Sequence, residues 1–306
     1  MDDIYSLNAF YRRSNALGEL DPPLTLEQRR VIDSHWGDVT AEPGGVDYRE
    51  RELGGVPVLW AEPAAAAVDR VLLCIHGGGY VGGSIHTHRK LYAHLAKAVG
   101  ARAVLPAYSH TPERQYPTQL DEVTAVYRAL LDETGTRPEH IAITGDSAGG
   151  GLTLSLVLRA RAAGLALPAA LVPISPWTDL TQSGESIRRN RATDLLFGGD
   201  KEMDIDGLVW MLLLPTVSPA DPLVSPLFAD LTGFPPMYIQ AGGGEMLLDD
   251  AVRLEQAARK HGVDATLDVE PGEQHTFQMS AGRTAVADAA IARAAAWLRP
   301  KLGLCA

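Results

Sequence analysis

The chain has little cysteine, no long apolar run and a deficit of positive charge, and each shortage argues against a class of protein. Its 306 residues include two cysteines. Cys74 lies within a predicted core strand and Cys305 next to the C-terminus, so no structural disulfide is expected. No uninterrupted apolar stretch approaches the roughly 20 residues that span a bilayer, and the acidic start, Met1-Asp2-Asp3, lacks the basic and apolar regions of a secretory signal. We therefore expect a cytoplasmic protein.

Negative charge dominates, because 27 lysines and arginines stand against 38 aspartates and glutamates, a net charge of −11. An acidic surface repels nucleic acid and anionic membranes, so neither is expected as a partner. The run Arg188-Arg189-Asn190-Arg191 is interpreted as a solvated or salt-bridged surface. The 306 residues, of which 46% are hydrophobic, suffice for one large α/β domain but are too few for two full-sized ones.

Residues 143–150 place a serine between two glycines, directly after an apolar run and before a mostly apolar helix. A strand, a turn and a helix in this order predict a nucleophile elbow with Ser147 at the tip of a tight turn. Gly145 and Gly149 are needed there because a side chain at either position would collide with the neighbouring strand or helix. The backbone N–H of Ala148 then points to the place where a tetrahedral oxyanion would form.

A buried strand over residues 70–75 runs directly into His76-Gly77-Gly78-Gly79. Successive glycines leave backbone amides uncovered, and beside an elbow such a loop supplies further oxyanion donors, each worth roughly 3 kcal/mol of transition-state stabilisation. A flexible loop or a phosphate cradle is the alternative, but no Gly-Lys-Ser/Thr follows and the spacing matches no dinucleotide fingerprint.

A serine nucleophile needs a general base, and the base needs a carboxylate that orients it. In α/β-hydrolases the chain order is serine, acid, histidine, which leaves His261 and His275. His261 is expected to end a helix over residues 249–260, where the helix dipole favours it. His275 follows a predicted strand over residues 265–270 and a turn, so it is the predicted base.

Carboxylates at three positions follow the predicted strand over residues 237–241. Glu245 lies nearest the strand end, where catalytic groups of open parallel sheets gather. Asp249 and Asp250 stand where a helix N-cap and a first-turn acid are expected. Glu245 is the predicted orienting acid, and Asp249 is the alternative.

With these residues in place, the chain resembles the bacterial hormone-sensitive-lipase-like carboxylesterases of the α/β-hydrolase superfamily over nearly its whole length. Besides the two glycine motifs, the segments at 108–117 and 175–180 are similar to family elements. The resemblance implies a mostly parallel central sheet flanked by helices, with a helical cap. It implies a serine carboxylesterase that hydrolyses short- to medium-chain acyl esters through an acyl-enzyme, without a cofactor, and a possible homodimer. The implied oxyanion hole uses the amides of Gly78, Gly79 and Ala148, with Gly77 supporting the turn.

The chain departs from the family pattern at three positions. Ser109 stands where the tyrosine motif has arginine. Glu245 occupies the usual aspartate position, and its longer side chain needs a slightly retracted backbone. Thr276 follows the histidine where many relatives have glycine, a change that should be tolerated if Thr276 has a negative φ.

Residues 46–53 and 56–61 flank Gly54-Gly55 and predict a hairpin, after which strands and helices alternate through one α/β-hydrolase domain over residues 41–306. Residues 1–40 and about 180–220 do not fit this alternation, and the resemblance implies that they form the cap. Several cap side chains could line a substrate pocket or equally form cap core: Phe10, Trp36, Phe197, Trp210, Met211 and Leu212. Tyr80, directly after the glycine loop, is a further candidate pocket residue.

Other functions remain open at this point. The same tetrahedral chemistry fits a lactonase or an amidase, and some relatives have become ligand-binding receptors by losing the catalytic histidine, which this chain retains. His86, His88 and His94 lack an acidic or cysteine partner at ligand spacing, so no metal is expected. Asp146 and Asp179 are interpreted as structural hydrogen-bonding residues.

Overall fold

The computed structural model describes residues 5–305 except 18–19, 21, 200–206, 208, 210–211 and 214. The strands are β1 (Val46–Leu53), β2 (Val56–Pro63), β3 (Ala67–Ile75), β4 (Ala101–Pro106), β5 (Ile141–Asp146), β6 (Ala170–Ile174), β7 (Met237–Gly242) and β8 (Ala265–Glu270). The labelled α-helices are α1 (Leu7–Leu17), α2 (Leu26–Asp33), α3 (Ile85–Val99), α4 (Thr118–Asp132), α5 (Ala148–Ala162), α6 (Ser186–Arg189), α7 (Leu248–Lys260) and α8 (Ala285–Lys301). Short 3₁₀ helices include Ser34–Val39 and Phe277–Ser280.

The strands form one sheet in the order β1-β2-β4-β3-β5-β6-β7-β8. β2 pairs antiparallel with β1 and with β4, and the remaining neighbours are parallel. The predicted hairpin is present, and Gly54 and Gly55 turn it with φ of 56° and 77°, the positive values that a tight hairpin turn requires. The prediction of a mixed, mainly parallel sheet is therefore confirmed.

Apolar cores cover both faces of the sheet, as a parallel sheet requires. Side chains alternate between the faces along β3: Leu73 and Ile75 join the core beneath α4, α5 and α7, while Leu72 and Cys74 join the core beneath α1, α3 and α8. Both cysteines are free. No described helix is long and apolar enough to cross a membrane.

Parallel pairing brings the carboxyl ends of several strands to one edge of the sheet, and the predicted functional residues follow those ends. Ser147 follows β5, the glycine loop follows β3, Glu245 follows β7 and His275 follows β8 after a turn at Gly272. His261 ends α7, and its N–H donates to Ala257 O and Ala258 O. Its predicted place at a helix C-terminus is confirmed.

Candidate active site

Ser147 stands at the turn between β5 and α5 with φ 55° and ψ −122°, a sparsely populated conformation whose strain is on the order of 1–3 kcal/mol. The surrounding glycines allow the turn. A Cβ at Gly145 would lie 2.3 Å from Gly149 O, and a Cβ at Gly149 would lie 2.1 Å from Ile75 O. The collisions predicted for these positions are therefore present. The turn leaves Ser147 next to the N-terminus of α5, where the helix dipole favours negative charge.

The glycine loop after β3 presents backbone amides beside the elbow. Gly78 and Gly79 have φ of 114° and 61°, and a Cβ at Gly78 would lie 2.3 Å from Gly82 O. Within the described part of the chain, the N–H groups of Gly78, Gly79 and Ala148 donate to no acceptor. The Gly77 N–H instead donates to Asp146 Oδ1 at 3.0 Å. The loop can thus offer two amides to an oxyanion and the start of α5 a third, while Gly77 holds the turn.

Asp146, buried next to Ser147, also accepts hydrogen bonds from the Tyr92 hydroxyl (2.6 Å) and from His88 Nε2 (3.2 Å). Burial by itself raises the pKa of Asp146, but the charge and hydrogen bond of His88 hold it below the ordinary value. Asp146 therefore ties the elbow to the glycine loop and to α3.

His94, another of the histidines considered as metal ligands, has its Nε2 3.0 Å from Ala41 O. No group of side chains suited to hold a metal ion occurs among the described residues.

Glu245 and His275 meet in the buried interior at the ends of β7 and β8. His275 Nδ1 lies 2.7 Å from Glu245 Oε2, and both side chains are fully buried. Burial disfavours the imidazolium, yet the hydrogen bond and charge of Glu245 raise the pKa of His275 above its ordinary value. Nδ1 is occupied, so Nε2 is the ring nitrogen that can exchange a proton with a substrate or a nucleophile.

The structure joins histidine and acid but does not join histidine and serine by a hydrogen bond. Nε2 of His275 has no hydrogen-bond partner among the described residues. Contacts of this kind are often long in an unliganded site and tighten only when substrate is bound.

The other two acids near β7 have different partners. Asp249 accepts hydrogen bonds from the Ser186 N–H and from Arg189, both at 2.9 Å. Asp250 accepts from the N–H groups of Thr178 (2.7 Å) and Asp179 (2.9 Å), and burial raises its pKa to about 7. Of the three, it is Glu245 that contacts the imidazole.

Thr276, directly after the histidine, has φ +48°, so the condition under which threonine was expected to be tolerated here, a negative φ, is not met. A β-branched residue is strained in the left-handed region, and two hydrogen bonds hold it there. Its N–H donates to Ser175 Oγ at 3.1 Å, and its Oγ1 lies 2.9 Å from the Tyr11 hydroxyl. A glycine at this position would adopt the same φ without strain.

Residues 194–197 cover the loops that carry Glu245 and His275. Asp194 accepts the N–H of Phe197 at 2.8 Å and the N–H of Met246 at 2.7 Å. The Phe197 ring centroid lies 4.9 Å from that of His275. Phe197 was predicted from the sequence as a pocket residue, whereas the contacts of Asp194, Tyr11 and Ser175 could not be predicted because they are made with residues distant in the sequence.

The remaining candidate pocket residues lie in different surroundings. Phe10 and Trp36 stack with centroids 6.3 Å apart and are buried in the core beneath α1 and α3. Tyr80 instead lines a cleft together with Tyr116, Gln119, Leu120, Leu152, Ser155, Leu212, Leu223 and Val224. Trp210 and Met211 lie outside the described residues.

Comparison with known proteins gives a consistent result. A model of the α/β-hydrolase-fold family matches residues 72–279. An acetyl-hydrolase of Streptomyces hygroscopicus is 37% identical over 85% of this chain and 83% of its own. An esterase of Acinetobacter venetianus is 37% identical over 71% of this chain and 70% of its own. The crystal structure of an esterase from the bacterial hormone-sensitive lipase family superposes with a TM-score of 0.91 and 36% identity, covering 97% of both chains.

Proposed function

The chain belongs to the bacterial hormone-sensitive-lipase-like family of α/β-hydrolase-fold esterases and is a carboxylic-ester hydrolase, and from this premise we propose that it acts through an acyl-enzyme on Ser147. The observation that carries the proposal is the buried 2.7 Å contact between His275 Nδ1 and Glu245 Oε2 at the same sheet edge as a strained serine elbow. A hydroxyl is a poor nucleophile unless a positioned base removes its proton.

In the proposed mechanism, His275 Nε2 accepts the Ser147 proton while Ser147 Oγ attacks the ester carbonyl carbon. The amides of Gly78, Gly79 and Ala148 stabilise the negative charge on the carbonyl oxygen. His275 then donates its proton to the departing alkoxide oxygen, which leaves as the alcohol. In the second half, His275 takes a proton from water while the water oxygen attacks the acyl carbon, and His275 then returns that proton to Ser147 Oγ as the ester bond to the serine breaks, which releases the acid product and restores the serine hydroxyl.

Glu245 has the orienting role in this proposal. Its carboxylate accepts a hydrogen bond from Nδ1–H of His275, which fixes the tautomer with a free Nε2 and stabilises the imidazolium formed during each half-reaction. Every step uses protein groups, the ester and water, so the proposed reaction requires no cofactor.

We propose that the substrates are small esters with short- to medium-chain acyl groups. Tyr80 and Leu152 line the same cleft, together with other apolar side chains such as Leu120 and Leu212. Tyr80 follows the oxyanion glycines directly, and Leu152 lies on α5 soon after Ser147, so a short chain attached at the serine would be close to these side chains. The similarity to an acetyl-hydrolase supports the same size class.

We further propose that residues 1–40 and about 180–220 form a cap on the catalytic domain of residues 41–306. Support comes from the described parts of both segments. Tyr11 contacts the His275 loop, and Asp194 and Phe197 contact the Glu245 and His275 loops. Such a cover would exclude water and strengthen the electrostatic contacts in the site.

Labelling with a fluorophosphonate and an ester panel would test the proposal. The wild type should bind the probe covalently and turn over p-nitrophenyl acetate and butyrate with higher kcat/KM than the laurate, a lactone or an anilide. Ser147→Ala should lose both the label and the turnover. Equal labelling of the variant, or a lactone or anilide as the best substrate, would contradict the proposal.

A further inference from the structure

Tyr11 contacts the histidine loop from α1, although 264 residues separate it from His275. Its hydroxyl lies 2.9 Å from His275 O and 2.9 Å from Thr276 Oγ1. From these two contacts we infer that Tyr11 is a positioning residue that holds the His275 imidazole in register with Glu245 and Ser147. The inference rests on the proposed function, because it concerns the same histidine.

The direction of the hydrogen bonds can be assigned from the donors present. A carbonyl oxygen only accepts, so the single proton of the Tyr11 hydroxyl is donated to His275 O. The Thr276 hydroxyl must then donate to the Tyr11 oxygen. Burial raises the pKa of Tyr11 well above its ordinary value, so the hydroxyl keeps the proton that it donates.

The loop needs such support because its conformation is strained. Thr276 has φ +48°, a region that disfavours β-branched residues, so the free loop would relax to another backbone conformation and would turn His275 with it. Ser175 Oγ accepts the Thr276 N–H at 3.1 Å from the β6 side. Tyr11 binds the same residue from the α1 side, and the two contacts hold it between them.

Tyr11 itself is fixed by its surroundings. Its side chain is fully buried, with the ring of Trp36 edge-on at a centroid distance of 6.0 Å and the ring of Phe10 at 6.1 Å. A close-packed interior has low compressibility and transmits strain, so a side chain held in this way resists displacement of the loop that it contacts. The N-terminal helix therefore completes the active site instead of only covering it.

The test uses the full-length chain with Tyr11→Phe, which keeps the ring and removes the hydroxyl. Tyr127→Phe is the matched control, because Tyr127 is also buried and also donates to a single backbone carbonyl, Ala166 O at 2.7 Å, away from the site. Misplacement of a catalytic group by about 1 Å can cost roughly a hundredfold in rate. Tyr11→Phe should lower kcat on p-nitrophenyl acetate by about ten- to a hundredfold with little change in KM, and Tyr127→Phe should leave kcat unchanged.

A second variant tests the link through Thr276. Glycine adopts φ +48° without strain, so adding Thr276→Gly to Tyr11→Phe should restore most of the lost kcat. A kcat for Tyr11→Phe within twofold of the wild type, an equal loss in Tyr127→Phe, or a double variant as slow as Tyr11→Phe alone would overturn the inference. Failure of the proposed function is a separate result, since the wild type itself would then show no ester turnover and no fluorophosphonate label.

Discussion

Gly149 lies against the carbonyl oxygen of Ile75 so closely that a Cβ at position 149 would be 2.1 Å from that oxygen. Ile75 ends the strand that leads into the glycine loop, and Gly149 belongs to the first turn of the helix after Ser147. Backbone contact without an intervening side chain therefore sets the spacing between the two sides of the proposed oxyanion hole.

Gly149→Ala should move these two sides apart. The new Cβ would collide with the carbonyl oxygens of Ile75 and His76, and backbone groups cannot rotate away as a side chain can. We expect a destabilisation of about 1–3 kcal/mol and a loss of kcat/KM on p-nitrophenyl acetate of at least tenfold, since displaced amides stabilise the oxyanion less well. Gly44→Ala is the control, because a Cβ there meets no atom within 4 Å. Urea unfolding and steady-state kinetics measure both effects, and equal behaviour of the two variants would refute the argument.

Replacement of the two candidate acids should separate them. Glu245→Gln removes the carboxylate that contacts His275 and should lower kcat by about three to four orders of magnitude, the size known for a triad carboxylate replaced by its amide. Asp249→Asn should keep kcat within a few fold, since Asp249 pairs with the exposed Arg189 and such surface pairs contribute about 0–1 kcal/mol. The reverse outcome would transfer the orienting role to Asp249.

The pH dependence of kcat/KM should report the protonation of His275. Glu245 raises the pKa of His275 against the opposing effect of burial, and the base is active only when neutral. Activity should therefore rise with pH, with its midpoint above the ordinary histidine value of about 6.5. In the residual activity of Glu245→Gln the midpoint should move to lower pH, because the imidazolium has lost its partner. A midpoint that is below about 6 in the wild type, or unchanged in the variant, would disagree with this assignment.

Local patterns in the sequence were enough to predict much of the fold and the pairing of Glu245 with His275. β8 spans Ala265–Glu270, as its apolar pattern predicted, and the hairpin follows from the glycines between β1 and β2. The contact between Glu245 and His275 could be predicted because the carboxyl ends of neighbouring parallel strands meet at one sheet edge, so residues that follow those strands lie close together.

Features that depend on packing between distant segments were not predictable in this way. The contact of Tyr11 with the His275 loop spans 264 residues, and no periodicity marks it. The positive φ of Thr276 contradicts the ordinary preference of a β-branched residue, because the tertiary contacts outweigh that preference. Apolar character likewise could not separate Phe10 and Trp36, which are buried beneath α1, from side chains that line a cleft.

Asp250 should make the stability of the protein depend on pH. Burial raises its pKa to about 7 in the folded chain, above the value of about 3.9 in an unfolded chain. The folded state therefore binds this proton more tightly, so the resulting stability is fully present below about pH 4 and is lost as the pH rises towards and through 7.

Asp250→Asn cannot ionise at this position, while the neighbouring Asp179 and Arg253 are unchanged and their own titration largely cancels in a comparison. The free energy of unfolding of the wild type, minus that of Asp250→Asn, should fall by on the order of 1 kcal/mol per pH unit between about pH 5 and 7 and then level off. Urea unfolding of both proteins at about pH 5, 6, 7 and 8 measures this difference across the pH range in which it should fall and then level off. A difference that stays constant or grows with pH would mean that Asp250 is already ionised in the folded protein, held by the N–H groups of Thr178 and Asp179.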